Sequence, residues 1–278
     1  MSVLHSKGRV LDISRPVVMG ILNATPDSFY NKGQHSNAKS LLMVAERMIN
    51  EGALILDIGG ASTKPGQRLL SADEELERVM PVVQAIHKNF PDTWLSIDTY
   101  NARTAKEAVG AGVAIVNDVS SGKFDRDMLE TVGKLDVPYI AMHIQGTPET
   151  MQLSPGYDDV VAEVLLYLRD ICEQCEEAGI KEVIIDPGFG FGKTVEHNFA
   201  LLRSLAGFST LGRPILAGLS RKSMICKPLK VNPEHALNGT TALNMVALQQ
   251  GANILRVHDV KEAMEVVKLY EQLGKGIK

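Results

Sequence analysis

Eight short apolar runs rich in β-branched residues, at 17–22, 54–58, 94–97, 114–117, 139–143, 183–185, 214–219 and 254–257, alternate with stretches of helical period. The helical stretches include 38–51, 71–88, 101–110, 157–178 and 233–250. Short β-branched runs that end in polar residues, each followed by a longer stretch of helical period, read as strands alternating with helices. Strand, helix and strand in succession return to the same sheet through a right-handed crossover. Eight such units close into a barrel more often than they form an open sheet, and 278 residues suit one (β/α)8 barrel, whose usual size is about 250 residues. The expected fold is therefore α/β, a TIM barrel made by one domain over residues 1–278. Residues 3–14, with Lys7-Gly8 between two short apolar pieces, read as a small hairpin closing the bottom of the barrel.

The helical stretches carry their own punctuation. Leu41, Leu42, Ala45, Met48 and Ile49 share one face, and Gly52 follows the last turn where a left-handed residue ends a helix. Ser71-Ala-Asp-Glu74 has the spacing of a capping box ahead of Leu76, Val79 and Val83. A net charge of −4 without a concentrated basic face argues against a nucleic-acid partner. No apolar run approaches the roughly 20 residues of a membrane span. Residues 1–12 lack an apolar signal core, so a cytoplasmic location without a membrane partner is expected. Cys172 and Cys175 form a C-x-x-C inside a helical pattern, with no second Cys/His pair nearby, and read as small helix residues.

In a barrel of this kind the residues after each strand gather at one mouth. In chain order they are Asn23, Asp57, Asp98, Asn117 with Asp118, His143, Asp186, Lys222, and Arg256 with His258. Each buried polar group costs about 1–3 kcal/mol unless paired, so a polar residue at every strand end reads as a site.

Two segments narrow the chemistry. The turn 186–194, Asp-Pro-Gly-Phe-Gly-Phe-Gly-Lys-Thr, resembles a phosphate-binding P-loop but has Pro187 where that motif needs glycine. It remains a glycine-rich turn with two rings, of which Phe189 is as readily a core residue as a ligand contact and Phe191 less so. Ser220-Arg221-Lys222 and Arg256-Val-His258 follow the last two runs, a recurrent anion position in this fold.

Taken together, Asn23-Ala-Thr-Pro-Asp-Ser-Phe29, Asp57-Ile-Gly-Gly-Ala-Ser-Thr63-Lys64-Pro65-Gly66, Ser96-Ile-Asp98-Thr99, Asn117-Asp118, Met142-His143, the 186–193 turn, Ser220-Arg221-Lys222 and Arg256-Val-His258 resemble the dihydropteroate synthases over nearly the whole chain. That resemblance implies a Mg²⁺-using, sulfonamide-targeted transferase. Such enzymes join 6-hydroxymethyl-7,8-dihydropterin pyrophosphate to 4-aminobenzoate, giving 7,8-dihydropteroate and pyrophosphate for folate synthesis. By motif position it implies that Asp98, Asn117, Asp186 and Lys222 hold the pterin, with Met142 and Gly218 lining the substrate site. Asn23, Arg256 and His258 would hold the pyrophosphate and, through Asn23, the metal. Thr63, Pro65, Phe191 and Ser220 would border the aminobenzoate, with Lys64 and Arg221 completing the substrate contacts. Asp98, Lys222, Arg256 and His258 are the implied catalytic set, and a homodimer through the last helices is the implied assembly. Two positions depart from the family pattern: Ala61 stands where Glu is usual, and Lys64 replaces an Arg and so loses the planar fork.

Three other readings predict different residues in use. A pterin-binding methyltransferase barrel would share Asp98, Asn117 and Asp186 but have little use for Ser220-Arg221-Lys222 or Arg256-x-His258. A Schiff-base aldolase would use Lys222 as nucleophile. An interaction scaffold would use none of them.

Overall fold

The computed structural model describes residues 3–24, 34–61 and 66–274, with no account of the side chains of 34–37. Strands β3 (Val17–Asn23), β4 (Ile55–Gly59), β5 (Trp94–Asp98), β6 (Ile115–Asp118), β7 (Tyr139–Met142), β8 (Val183–Asp186), β9 (Leu216–Ala217) and β10 (Ile254–Val257) form one parallel sheet. Its order is β8-β7-β6-β5-β4-β3-β10-β9, and a parallel bridge between Ile185 and Ile215 closes β8 onto β9. The expected (β/α)8 barrel is the fold observed.

The two faces of each strand explain why the runs are mostly apolar. Val18 and Leu22 of β3 pack outward with the helices, while Val17 and Met19 join the cluster inside the barrel. The same alternation sends Leu56, Val116, Tyr139, Ile185 and Leu255 outward, and Ile55, Ile115, Ile140, Ile184 and Ile254 inward. Both faces are dry, so neither needs a polar residue until the strand reaches the mouth.

Strands β1 (Val3–Ser6) and β2 (Arg9–Asp12) make the expected hairpin. Lys7 and Gly8 both take positive φ, +50° and +79°, as a two-residue turn matched to strand twist requires. Leu4, Leu11 and Ile13 belong to the interior cluster with Ile55, Trp94 and Ile254, so the hairpin plugs the end opposite the strand C-termini.

Helices α1 (Gln34–Glu51), α2 (Ala72–Asn89), α3 (Ala102–Gly110), α4 (Met128–Leu135), α5 (Val160–Glu177), α6 (Val195–Arg203), α7 (Ser223–Leu229), α8 (Leu237–Gln249) and α9 (Val260–Gly274) cover the outside. Ser71 and Glu74 form both halves of the capping box ahead of α2. Helix α5 starts at Val160 rather than near 157 because the Asp159 side chain accepts from the Val161 and Ala162 amides. The 233–250 stretch divides into a 3-10 turn, Pro233–His235, and α8. Cys172 and Cys175 are buried in α5 as unpaired thiols. No helix among the described residues is long and apolar enough to cross a membrane.

Candidate active site at the C-terminal mouth of the barrel

The inward column of each strand turns polar at its last turn. Asp57 follows Ile55, Asp98 follows Trp94 and Ser96, Asn117 follows Ile115, Asp186 follows Ile184, and Arg256 follows Ile254. Strand register aligns Gly59 with Asp98, Asp98 with Asn117, and Met142 with Asp186. One layer above the dry interior is thus a layer of charge.

Arg256 is its centre. Its Nε donates to Asp57 Oδ2 at 2.6 Å and its Nη2 to Asp98 Oδ2 at 2.6 Å. Asn117 Nδ2 donates to the same Asp57 oxygen at 3.0 Å. Asp57 is fully buried, and among the described residues its Oδ1 has no partner. Flanked by two carboxylates, the Arg256 guanidinium is held above the usual arginine range against the opposing effect of burial. Burial pushes Asp98 up to about 7; Arg256 pulls the other way, while Asp57 adds to the rise. The resemblance assigned Asp57 no part in the site. Its partner Arg256 lies 199 residues away, so no local motif could announce the pair.

Asp186 ends β8. Its Oδ1 accepts from the Gly188 amide at 2.7 Å, and burial raises its pKa while Lys222 opposes the rise. Gly188 must be glycine: φ is +70° and an added Cβ would lie 1.9 Å from the His143 carbonyl oxygen. The Lys222 ammonium donates to the Phe189 carbonyl and lies 4.8 Å from the centre of the Phe191 ring. Burial lowers Lys222 to about 8, with Asp186 holding it up. Gly218 faces this amine, which an added Cβ would approach to 3.6 Å. Phe189 is fully buried in the outer core, whereas Phe191 packs near the mouth with Tyr100, Met142, Ile144 and Met151.

Ser220 Oγ lies 3.0 Å from His258 Nδ1 and accepts from the His258 amide at 3.2 Å. Burial and then the Arg256 charge lower His258 to about 4, so its ring is neutral near pH 7. Arg221 turns onto Asp259, with Nε to Oδ2 at 3.0 Å and Nη2 to Oδ1 at 2.5 Å. That pair neutralises one of the two arginines expected at the anion position.

Two members of the expected polar ring lie elsewhere. Asp118 directly follows inward-facing Asn117, and strand alternation turns it to the helix side. There it accepts from the Ser120 amide and hydroxyl at 2.7 Å each, the Gly122 amide at 2.7 Å and the Tyr139 hydroxyl at 2.8 Å. His143 likewise follows inward Met142. Its Nδ1 is 2.9 Å from Lys193 Nζ and its ring stands edge-on to Tyr167 at 4.9 Å. Asn23 closes β3 with an exposed side chain. Thr63, Lys64 and Pro65, and the first loop at 25–33, lie outside the described residues.

Comparison with known proteins agrees with this arrangement. The family described as pterin binding enzyme matches residues 19–258. The chain is 46 % identical over 270 residues to the dihydropteroate synthase of Escherichia coli (strain K12), covering 96 % of this chain and 95 % of that one. It is similar to the crystal structure of Yersinia pestis dihydropteroate synthase with a sulfonamide drug complex, with a TM-score of 0.92 and 44 % identity over 98 % of this chain and 99 % of that one. It is similar also to Xanthomonas albilineans dihydropteroate synthase with 4-aminobenzoic acid, with a TM-score of 0.93 and 39 % identity over 100 % and 99 % of the two chains. The barrel with its charged mouth, the match across nearly all of its strands and the identity over almost the full length have one reading: the chain belongs to the pterin-binding enzyme family, among the dihydropteroate synthases.

Proposed function

We propose that this chain joins 6-hydroxymethyl-7,8-dihydropterin pyrophosphate to 4-aminobenzoate, releasing pyrophosphate and 7,8-dihydropteroate, as a cytoplasmic transferase. The observation that carries the reading is the Asp57–Arg256–Asp98 network with Asn117, Asp186 and Lys222 in one layer at the barrel mouth. A pterin edge is an array of N–H donors beside a carbonyl. Asp98 and Asp186 can accept from that array, the Asn117 amide can both donate and accept, and the Lys222 ammonium can donate to the carbonyl. Met142 and Gly218 give the flat ring an apolar and a side-chain-free wall.

The reaction forms a bond from the aminobenzoate nitrogen to the pterin methylene carbon and breaks the bond from that carbon to the pyrophosphate oxygen. The attacking amine then gives up a proton. Negative charge grows on the departing oxygens, where Arg256 and the His258 ring offer donors; positive charge grows on the methylene, where a carboxylate of the layer such as Asp98 stabilises it. A neutral arylamine needs no strong base, so no Ser/His/Asp relay is required. By motif position Thr63 and Pro65 would join Phe191 and Ser220 around the nucleophile, with Lys64 and Arg221 completing the substrate contacts.

Among the described residues no group of three or more His, Cys, Asp or Glu is placed to cage a metal ion. A single amide oxygen, that of Asn23, suits Mg²⁺ that arrives on substrate phosphates and keeps most of its waters. When bound, the ion supplies positive charge to the leaving pyrophosphate. Purified protein should release pyrophosphate only when both the pterin pyrophosphate and 4-aminobenzoate are present. Release that ignores 4-aminobenzoate would overturn the assignment.

Assembly as a homodimer has support in the last helices. Helix α8 buries polar Thr240 and Asn244 while Ala242, Met245 and Val246 stay wholly or partly exposed. On α9, Leu269 and Leu273 are exposed one turn apart, at 62 % and 68 %. These apolar residues, set among the exposed Lys268 and Gln272, make a face that a second copy would cover. Light scattering of Leu269→Glu/Leu273→Glu should report a smaller mass than the parent chain; an unchanged mass would exclude this face.

A further inference from the structure

The turn after β8 is held in an unusual way. Residues 188–192 belong to no helix or strand, and Gly188, Gly190 and Gly192 have φ of +70°, +87° and +67°. Yet each of the five carbonyls meets a side-chain donor. Lys193 Nζ donates to the Gly188 oxygen at 2.9 Å and the Phe191 oxygen at 3.0 Å. Lys222 takes the Phe189 oxygen, Gln152 Nε2 the Gly190 oxygen at 2.5 Å, and the Tyr157 hydroxyl the Gly192 oxygen at 2.8 Å.

Lys193 is the one donor inside the turn. It is 2 % exposed and its further contacts are His143 Nδ1 at 2.9 Å and the His143 carbonyl oxygen at 3.4 Å; no carboxylate among the described residues bonds to it. A buried lysine with no carboxylate bonded to it is costly even with the Asp186 charge nearby, and an apolar side chain of the same length would fill the space more cheaply. Burial lowers its pKa well below the ordinary lysine value, and His143 is held neutral by burial and the lysine charges around it. In either protonation state two N–H groups remain for the two carbonyls. These two bonds pull the turn inward at both ends and leave the Phe189 carbonyl between them directed at Lys222.

We propose that Lys193 is a positioning residue for the pterin site: it fixes the glycine turn in the shape that anchors the Lys222 ammonium through the Phe189 carbonyl and sets the Phe191 ring beside it. The proposal rests on the assignment of Lys222 to the pterin. It extends that assignment to a residue that touches no substrate, and to His143, which orients Lys193.

The test is a double-mutant cycle on the full-length enzyme, read as kcat/KM for the pterin pyrophosphate and as pterin affinity by calorimetry. Lys193→Met should lower both at least tenfold. In a Lys222→Met background the same change should cost less than threefold, because the anchored group is already gone. His143→Leu should reproduce the Lys193→Met loss. His143→Asn should restore values to within about threefold of the parent, since an amide offers an oxygen or an NH₂ to either form of the lysine. Mass-spectrometric acylation of Lys222 gives an activity-independent readout: its amine should react at least threefold faster in Lys193→Met. Losses that multiply in the double mutant, or a lowered melting temperature with pterin affinity and Lys222 reactivity unchanged, would overturn the proposal. Should Lys193→Met not fold, the His143 pair decides it: equal losses in Leu and Asn variants refute the clamp. A parent enzyme without synthase activity would instead remove the functional assignment, leaving the acylation comparison to judge the clamp alone.

Discussion

Asp186→Asn isolates the contribution of one carboxylate oxygen. In the parent, Oδ1 accepts from the Gly188 amide at 2.7 Å. Asparagine has one acceptor, and the Gly188 N–H can face only that oxygen, so the new NH₂ is forced to the position of Oδ2. It then points a donor at the donor edge of the pterin. The lost bond is charge-assisted, about 1.5–3 kcal/mol, which is about 10- to 150-fold in affinity at 1.4 kcal/mol per decade. A second effect has the same sign. Asp186 holds Lys222 up toward its ordinary value, so the variant lets that ammonium fall below about 8 and leaves it less fully charged at neutral pH. Stability should change little, because a buried charge is removed and the Gly188 contact is kept.

Asp118→Asn is the matched control. That carboxylate is as deeply buried and is also raised by burial, but all of its bonds go to Ser120, Gly122 and Tyr139 on the helix side. Four donors converge on its two oxygens, one of which an amide cannot replace. The control should therefore melt earlier while binding the pterin with the parent's affinity. Calorimetry with a pterin ligand and a melting scan on both variants separate the two roles. Pterin affinity within threefold of the parent for Asp186→Asn, or an equal loss for Asp118→Asn, would refute the assignment of inward and outward carboxylates.

Asp98 near 7 and Lys222 near 8 set opposite limbs of the pH profile. Asp98 must lose its proton to accept from the pterin and Lys222 must keep its own, so kcat/KM should rise through about 7 and fall through about 8. Lys222→Arg should abolish the falling limb, and an unchanged fall would assign it to another group. Lys64→Arg should hold or improve KM for the pterin pyrophosphate without altering the melting temperature, whereas a Lys64→Ala variant with parent kinetics would exclude that loop from the reaction. Pyrophosphate with Mg²⁺ should tighten sulfonamide binding by about 1–3 kcal/mol, the usual size of coupling between two sites, and equal affinity with and without them would show a preformed pocket.

The barrel is legible in the sequence because a strand dry on both faces leaves a mostly apolar run, and eight of them alternating with helices admit few arrangements. Helices α4 and α7 are not legible in the same way: at eight and seven residues they span too few turns for a period to stand out. The site is legible as a set of strand ends but not as a set of directions. Asn117 and Asp118 are adjacent and equally polar, and only the register of β6 against β5 decides that one enters the mouth and the other leaves it. The same one-residue difference separates Met142 from His143. The P-loop resemblance of the 186–194 turn had a physical basis in its glycines. The Gly188 and Gly190 amides, however, are taken by Asp186 Oδ1 and Asn198 Oδ1, and two of the turn's carbonyls are gathered by Lys193, whose role no spacing rule could supply.

What the residues do together follows from their charge balance. Asp57, Asp98 and Asp186 face Arg256 and Lys222, three carboxylates against two cations in a layer closed to water from below. Arg256 satisfies one oxygen each of Asp57 and Asp98, which leaves Asp57 Oδ1 buried without a donor and Asp98 holding its proton up to about 7. Such a layer costs the empty barrel free energy, about 1–3 kcal/mol for an unmade buried hydrogen bond alone. A core selected for stability would discard it. A ligand whose edge is rich in N–H donors offsets part of that cost, offering donors to Asp98 and Asp186 and lowering their carboxyl pKa values as it binds. Asp98 and Asp186 are therefore the parts of the layer that a pterin would complete. Binding at neutral pH should accordingly release protons from the enzyme, which calorimetry in buffers of different ionisation enthalpy would detect as a buffer-dependent heat. A heat independent of buffer would mean that Asp98 is already ionised and that the layer is preorganised by Arg256 alone.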